Sequence, residues 1–144
     1  MKKALLAISS VFLIAASAWI VYASPTIYAN LTGAAEVGSA GDPDASGSAT
    51  INVSAATDRL CYGVSVNDKI TLPVTVYVLK GGPAENGSIV ATLNAPTAPD
   101  APATGCLDLD AALAKDMRQH PENYYVNVVN ADYPDGAIRG QLAH

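Results

Sequence analysis

Two cysteines, Cys61 and Cys106, are the residues of this 144-residue chain whose chemistry is most readily predicted. Neither belongs to a Cys-x-x-Cys motif or lies near a histidine, so half of a zinc or redox site is the less favoured alternative. Under oxidising conditions an isolated even pair tends to form a disulfide. We therefore predict a Cys61–Cys106 disulfide, whose loop of about 45 residues would stabilise the fold by about 4 kcal/mol.

Other side chains that could act as bases or ligands are scattered along the chain. His120 is a candidate base or ligand, but its place at the end of a predicted helix indicates a solvated histidine. Asp108 and Asp110 could be paired catalytic acids, although a helix start explains them better. Asp42 and Asp44 offer too few oxygen ligands for calcium. Because Gly-x-Ser-x-Gly, His-Glu-x-x-His and Walker motifs are also absent, the sequence predicts neither an enzyme nor a bound cofactor.

One charged residue, Arg139, falls inside a predicted strand near the C-terminus. A charge at such a position needs a partner if it is buried, and we expect a structural pairing with an acid such as Asp132 or Glu36. Tyr133 and Gly136 lie in the tight connection that precedes this strand. We predict structural roles for Arg139, Tyr133 and Gly136.

The elements that must position these residues are predicted to be short β-strands. Apolar residues alternate with polar ones, and Gly, Pro, Asp and Asn separate the alternating segments. The predicted strands span residues 27–31, 51–53, 60–66, 72–79, 88–93, 123–129 and 137–142. We therefore expect an all-β, immunoglobulin-like or superoxide-dismutase-like antiparallel sandwich of about seven strands with one short helix.

Three segments carry more specific predictions. The strand 72–79 is apolar on both faces and is expected to be covered on both sides, with Pro73 at its beginning. Residues 94–105 contain three prolines and are predicted to form an exposed loop. The helix is expected at 109–119, with Asp108 or Asp110 as its cap and Pro121 just after its end.

Residues 1–23 have the pattern of a signal peptide. Lys2 and Lys3 precede an apolar run, and a small residue, Ala23, ends the segment. Cleavage after Ala18 also satisfies the small-residue rule, but we expect it after Ala23. That leaves one domain over residues 24–144 and places it in the periplasm, at the cell surface or in the medium. The alternative is an uncleaved anchor, because about 20 apolar residues can span a bilayer, and only then would the membrane be a partner.

The predicted mature domain is acidic. It holds six basic residues against 13 acidic ones, a formal charge of −7. Nucleic acid is therefore an improbable partner, and no basic run interleaved with aromatic residues is present. The acidity is consistent with a soluble domain.

Three stretches resemble the CHRD family, whose domain is repeated in chordin and occurs singly in many exported microbial proteins. They are residues 28–37 with 45–50, residues 81–90 with their Asn86-Gly87 turn, and residues 123–128 with the sequence YPDGAIRGQL at 133–142. The resemblance extends from about Thr26 to Leu142. It implies the β-sandwich but no defined biochemical activity, so function must be argued from a site.

The chain departs from the family at one set of positions. Many members have a His-x-His pair before the Gly-rich turn and another histidine before the Tyr-Pro-x-Gly connection, where this chain has Tyr77, Leu79 and Val129. Three imidazoles would suit copper or zinc, but these side chains would not. We therefore expect a non-catalytic exported module that binds an unknown protein or cell-surface component. The alternative is a metal-binding or superoxide-handling protein on a dismutase-like sandwich. A third candidate is an envelope hydrolase, but the sequence offers only scattered acids and no set of catalytic residues for it.

Overall fold

The computed structural model describes residues 24–144, so the predicted leader lies outside the described residues and its cleavage stays a prediction. Within residues 24–144, eight strands form one antiparallel sheet in the order β5-β4-β7-β8-β1-β2-β3-β6. The strands are β1 (Ile27–Thr32), β2 (Ser46–Val53), β3 (Arg59–Val66), β4 (Thr75–Lys80), β5 (Ser88–Leu93), β6 (Ala103–Asp108), β7 (Tyr124–Val129) and β8 (Ile138–Gln141). A helix, α1 (Ala111–Gln119), follows β6, and short 3₁₀ turns lie at Gly33–Ala35 and Pro121–Asn123.

The pairing of β8 with β1 is short. Within residues 24–144 these strands pair only at Thr32 and Arg139, and an isolated bridge joins Tyr28 of β1 to Ala143 beyond β8. The half containing β5, β4, β7 and β8 can therefore face the half containing β1, β2, β3 and β6. Buried side chains of both halves form one hydrophobic core. This architecture confirms the predicted antiparallel β-sandwich with one short helix.

Side-chain alternation explains most of the core. β1 buries Ile27, Ala29 and Leu31, and its intervening side chains are exposed. The same alternation places Leu60, Tyr62, Val64 and Val66 of β3 inside, as expected for strands with one buried face. The two layers thus follow from hydrophobic periodicity.

The prediction of an exposed loop over 94–105 is wrong at its C-terminal end, because β6 begins at Ala103. The register places Gly105 of β6 opposite Tyr62 of β3. A Cβ at Gly105 would lie 2.5 Å from the Tyr62 hydroxyl oxygen, so the ring occupies the space that a larger side chain would need. β6 therefore lacks the apolar alternation that predicts a strand, and the sheet has eight strands rather than about seven.

The strand expected at 72–79 is shorter and less covered than predicted. β4 begins at Thr75, after Pro73, and buries Val76 and Val78. Tyr77 and Leu79 on the other face are only half-buried. One face of β4 packs in the core, and the other face is partly open to solvent.

The helix begins where an acid can cap it. Asp110 accepts hydrogen bonds from the backbone N–H groups of Ala112 (2.9 Å) and Leu113 (3.3 Å), so Asp110, not Asp108, is the N-cap. Asp116 then accepts hydrogen bonds from Lys80 Nζ (2.8 Å) and the Tyr124 hydroxyl (2.5 Å), which join the helix to β4 and β7. In the described part of the chain, no helix has the length and apolar character needed to cross a membrane.

The predicted disulfide is confirmed. Cys61 on β3 and Cys106 on β6 face each other in the register, their Cα atoms lie 4.0 Å apart, and their sulfurs are bonded. The bond joins β6, an edge strand, to its single neighbour in the sheet. It closes a sequence separation of 45 residues, so it constrains the unfolded chain substantially.

Candidate functional site

The outer face of β7 and β8 carries a group of large polar side chains. Tyr125 lies opposite Gln141 in the register, and Asn127 lies opposite Arg139. All four side chains point away from the core, because residues 124, 126 and 138 occupy the inner positions. Arg139 is nevertheless only 1% exposed and Asn127 only 7% exposed, so other segments must cover this face.

The turn of residues 81–87 covers Arg139. The guanidinium Nη2 donates to the backbone carbonyls of Gly82 and Glu85, both at 2.8 Å, and Nη1 donates to Asn86 Oδ1 at 3.3 Å. The guanidinium also lies over the Tyr125 ring, 3.5 Å from its centroid. A planar donor fork is well suited to such convergent acceptors and to stacking. Arg139 therefore joins the turn to the sheet.

We expected an acid to pair with Arg139, and its direct partners are different. In residues 24–144, Arg139 forms no salt bridge with Asp132 or Glu36. Its charge is offset instead by two carbonyls, an amide oxygen and an aromatic face. Arg139 still acts on Glu36 without a direct contact, since its positive charge lowers the pKa of the Glu36 carboxyl.

Further hydrogen bonds hold the same turn in place. Asn86 Nδ2 donates to the Val37 carbonyl at 2.9 Å, which links the turn to the segment after β1. Gln141 Nε2 donates to the carbonyls of Gly81 (2.8 Å) and Glu122 (2.6 Å). The turn is thus tied to the segment after β1 and to β8, and Gln141 joins it to Glu122 as well.

Glu36 lies beside this cluster, and the pKa of its carboxyl is raised. Burial raises the pKa of its carboxyl to about 7, against the opposing effects of the Arg139 charge and of a hydrogen bond from Asn127. Asn127 Nδ2 donates to Glu36 Oε2 at 3.5 Å. Near neutral pH the group can therefore be in either protonation state.

Tyr133 and Gly136 shape the connection that packs against Glu36. The Tyr133 N–H donates to Asn130 Oδ1 (2.8 Å), and the Tyr133 carbonyl accepts from the Gly136 N–H (3.2 Å). Gly136 has a φ of 149°, and a Cβ there would lie 2.2 Å from Glu36 Oε2. Glycine is favoured at this position, because the backbone conformation strains any other residue and a Cβ would displace the Glu36 carboxyl.

A concave site opens between the turn and the segment after β1. We call it the Arg139 pocket, and its volume is about 480 Å³. It is lined by Ala34, Ala35, Glu36, Val37, Gly38, Pro83, Ala84, Arg139 and Gln141. Its lining combines mostly small apolar residues with the polar side chains of Glu36, Arg139 and Gln141. Such a mixture can hold a partner side chain or a small polar ligand.

Two neighbouring depressions share the loop between β1 and β2. One is lined by residues of 32–46, and the other by Ser39, Ala40 and the connection 132–136. Their exposed charges are acidic: Asp44 lies on the first, and Asp132 and Asp135 lie on the second. The surface beside the Arg139 pocket is therefore negative.

The other candidate residues do not gather at this pocket. Asp42 accepts hydrogen bonds from the N–H groups of Asp44 (3.0 Å) and Ala45 (3.2 Å), so its carboxylate stabilises its own loop. His120 is exposed and lies 3.4 Å from Glu122. These contacts explain both residues as structural or solvated groups.

The residues where other family members are expected to carry histidines do share one face. Val129 lies opposite Thr75, two positions from Tyr77, and Leu79 follows on the same side of β4. Phenol and hydrocarbon side chains at these three positions do not form a copper or zinc site. Within residues 24–144, no group of three or more His, Cys, Asp or Glu side chains could hold a metal ion.

Comparison with known proteins identifies one family. The model of the CHRD domain matches residues 27–142, nearly the whole described chain. CHRD is a non-enzymatic domain family whose members are typically extracellular. No significant match to this chain was found among curated proteins or among solved structures. Because the family model covers far more than half of the sequence, the chain belongs to the CHRD domain family.

Proposed function

We propose that this chain is an exported, non-catalytic module that binds a protein or a cell-surface component through the Arg139 pocket and its acidic surroundings. The observation that supports this most is the turn of residues 81–87. Buried Arg139 and the Gln141 amide hold it against the sheet, and its own Asn86 binds the segment after β1, which gives a preformed concave surface between two loops. Loops fixed on a rigid scaffold are the usual place for recognition.

Charge favours a basic partner. The residues after position 23 carry a formal charge of −7, and Asp44, Asp132 and Asp135 are exposed beside the pocket. A positively charged partner surface would be attracted to this end of the sandwich, and nucleic acid would be repelled. Binding should weaken as the salt concentration rises.

Three observations support export. The first 23 residues have the pattern of a signal peptide, the described chain contains a disulfide, and the family is typically extracellular. The site of action that we propose is the periplasm, the cell surface or the medium.

A matched pair of substitutions tests the binding surface. Ala84→Trp would fill the pocket from its wall, whereas Ala101→Trp would add the same side chain to an exposed loop outside it. Cross-linked partners would be recovered from envelope and medium fractions with the native protein and both variants. We expect Ala101→Trp to retain the partner and Ala84→Trp to lose it. Equal recovery by both variants, or no reproducible partner for the native protein, would refute the proposal.

A further inference from the structure

Three polar side chains beside the Arg139 pocket, Glu36, Asn127 and Gln141, are incompletely hydrogen-bonded, and the first two contact each other. Glu36 on the segment after β1 and Asn127 on β7 are 91 residues apart in sequence, and Asn127 Nδ2 lies 3.5 Å from Glu36 Oε2. The remaining oxygen of each side chain, Glu36 Oε1 and Asn127 Oδ1, is buried and has no partner among the described residues. Buried oxygens without a donor are costly, so this pair requires an explanation.

Protonation of Glu36 would explain these unpaired oxygens. An ionised carboxylate has only acceptors, and it leaves the Asn127 oxygen without a donor. A protonated carboxyl has one donor and one acceptor, as a primary amide does. The two groups are then complementary, whichever way the amide is turned.

We propose that Glu36 is protonated in the folded protein and forms a cyclic acid–amide pair with Asn127, and that release of this proton is a pH-sensitive switch in the wall of the Arg139 pocket. In the pair, Asn127 Nδ2–H donates to Glu36 Oε2, and Glu36 Oε1–H donates to Asn127 Oδ1. When the carboxyl ionises, the proton passes to solvent and one of these two hydrogen bonds is lost.

The surroundings of Glu36 favour the neutral form. The backbones of Gly41 and Gly136 approach its side chain so closely that a Cβ at either would lie within 2.6 Å of a Glu36 atom. This burial raises the carboxyl pKa to about 7, which corresponds to proton binding about 300-fold tighter than that of an ordinary glutamate.

The neighbouring elements carry charged groups that could act on Glu36. They are Arg139 on β8, Glu85 in the turn, Asp42 and Asp44 in the loop before β2, and Asp132 and Asp135 in the connection before β8. Among them only Arg139 shifts the Glu36 pKa, and it lowers that pKa. The Arg139 guanidinium forms its hydrogen bonds with Gly82, Glu85 and Asn86. It therefore disfavours the neutral form of Glu36 through its charge alone, without a direct ion pair.

Ionisation would change the wall of the pocket. The Glu36 carboxylate would face an amide oxygen on one side, and it would be attracted to Arg139 on the other. Since Glu36 and its neighbours Ala34–Gly38 line the pocket, their position should depend on pH. Only the resulting effect on partner binding rests on the proposed function, and the switch itself can be tested without a partner.

The test is a pH titration of the purified protein by NMR with labelled glutamate carboxyl and asparagine side-chain amide groups. The chain contains three glutamates, Glu36, Glu85 and Glu122, so the signals can be assigned with single Glu→Gln variants. We expect one carboxyl to titrate near pH 7, and we expect Glu36→Gln to remove this signal. The exposed control, Glu122→Gln, should leave it unchanged. The Asn127 side-chain amide and the backbone amides of residues 34–38 should shift with the same midpoint.

Two results would overturn the inference. A Glu36 carboxyl that titrates near pH 4.5 would show that the group is ionised at neutral pH. A midpoint near 7 with no shift of the Asn127 amide would show that burial alone holds the proton and that no acid–amide pair exists. Either result would leave the proposed function open, because partner capture by the Ala84→Trp and Ala101→Trp pair does not depend on it.

Discussion

Replacement of Arg139 by alanine should destabilise this domain severely. The substitution removes three hydrogen bonds from a guanidinium that is 1% exposed, together with its stacking on the Tyr125 ring. It also removes the charged donor that holds the carbonyls of Gly82 and Glu85 against the sheet. The loss therefore combines the broken hydrogen bonds with the release of the turn.

The expected size follows from these contacts. Removal of one member of a buried, charge-assisted network costs about 3–5 kcal/mol. For a domain of this length, 1 kcal/mol corresponds to about 3–5 °C in Tm, so we expect Tm to fall by about 10–25 °C. Arg139→Lys should lose most of the same stability, because an ammonium group has neither the planar fork nor the stacking surface.

Thermal and urea unfolding of the purified variants would measure this effect. Arg59→Ala is the matched control, since Arg59 is also a strand arginine, but its side chain is 55% exposed and its nearest carboxylate, Asp108, lies 4.0 Å away. Such a pair contributes about 0–1 kcal/mol. If Arg139→Ala and Arg59→Ala had the same Tm within about 2 °C, the structural role of Arg139 would be wrong.

Other substitutions test separate parts of the fold by the same unfolding measurements. The double variant Cys61→Ser with Cys106→Ser should lose up to about 4 kcal/mol, with early loss of amide protection in β6; unchanged stability would show that the bond does not constrain the unfolded chain. Gly136→Ala should cost about 2–4 kcal/mol, since the new Cβ meets the Glu36 carboxyl and the backbone is strained; a neutral effect would contradict this packing. Asp110→Ala should cost about 1 kcal/mol through the lost helix cap, and a larger effect of Asp108→Ala would reverse the assignment of the cap.

The raised pKa of Glu36 also predicts how the free energy of unfolding depends on pH. Its pKa is about 7 in the folded protein and 4.5 ordinarily, so the folded state binds the proton more tightly than the unfolded state. The contribution of Glu36 is therefore fully present below pH 4.5 and is lost as the pH rises through 7. Glu36→Gln should flatten this part of the stability profile in urea titrations. A native profile with no decline between pH 5 and pH 8 would contradict the raised pKa.

Hydrophobic periodicity was sufficient to predict most of the sheet. Strands such as β1 and β3 alternate strictly because one face packs in the core. β6 was missed because two of its three inward positions hold small residues, Ala103 and Gly105, and the Tyr62 ring fills the space at Gly105. When a large side chain of the neighbouring strand covers small inward residues, the hydrophobic alternation in the strand's own sequence is too weak to predict it.

The candidate site was only partly predictable for a different reason. Arg139 stood out as a charge inside a strand, and Asn127 interrupts the apolar run of β7 in the same way. Their partners could not be inferred, since Arg139 contacts residues 53–57 positions away and Asn127 contacts a residue 91 positions away. Those contacts depend on the strand order β4-β7-β8, which brings the turn over the sheet.

The proposed binding surface can be tested most directly by hydrogen–deuterium exchange of the protein with and without its cross-linked or captured partner. We expect added protection in residues 34–38 and 82–86, which form the two walls of the Arg139 pocket. The disulfide-bearing face of β3 and β6 should exchange equally in both states. Protection confined to β3 and β6, with residues 34–38 and 82–86 unchanged, would contradict the assignment of this pocket as the recognition surface.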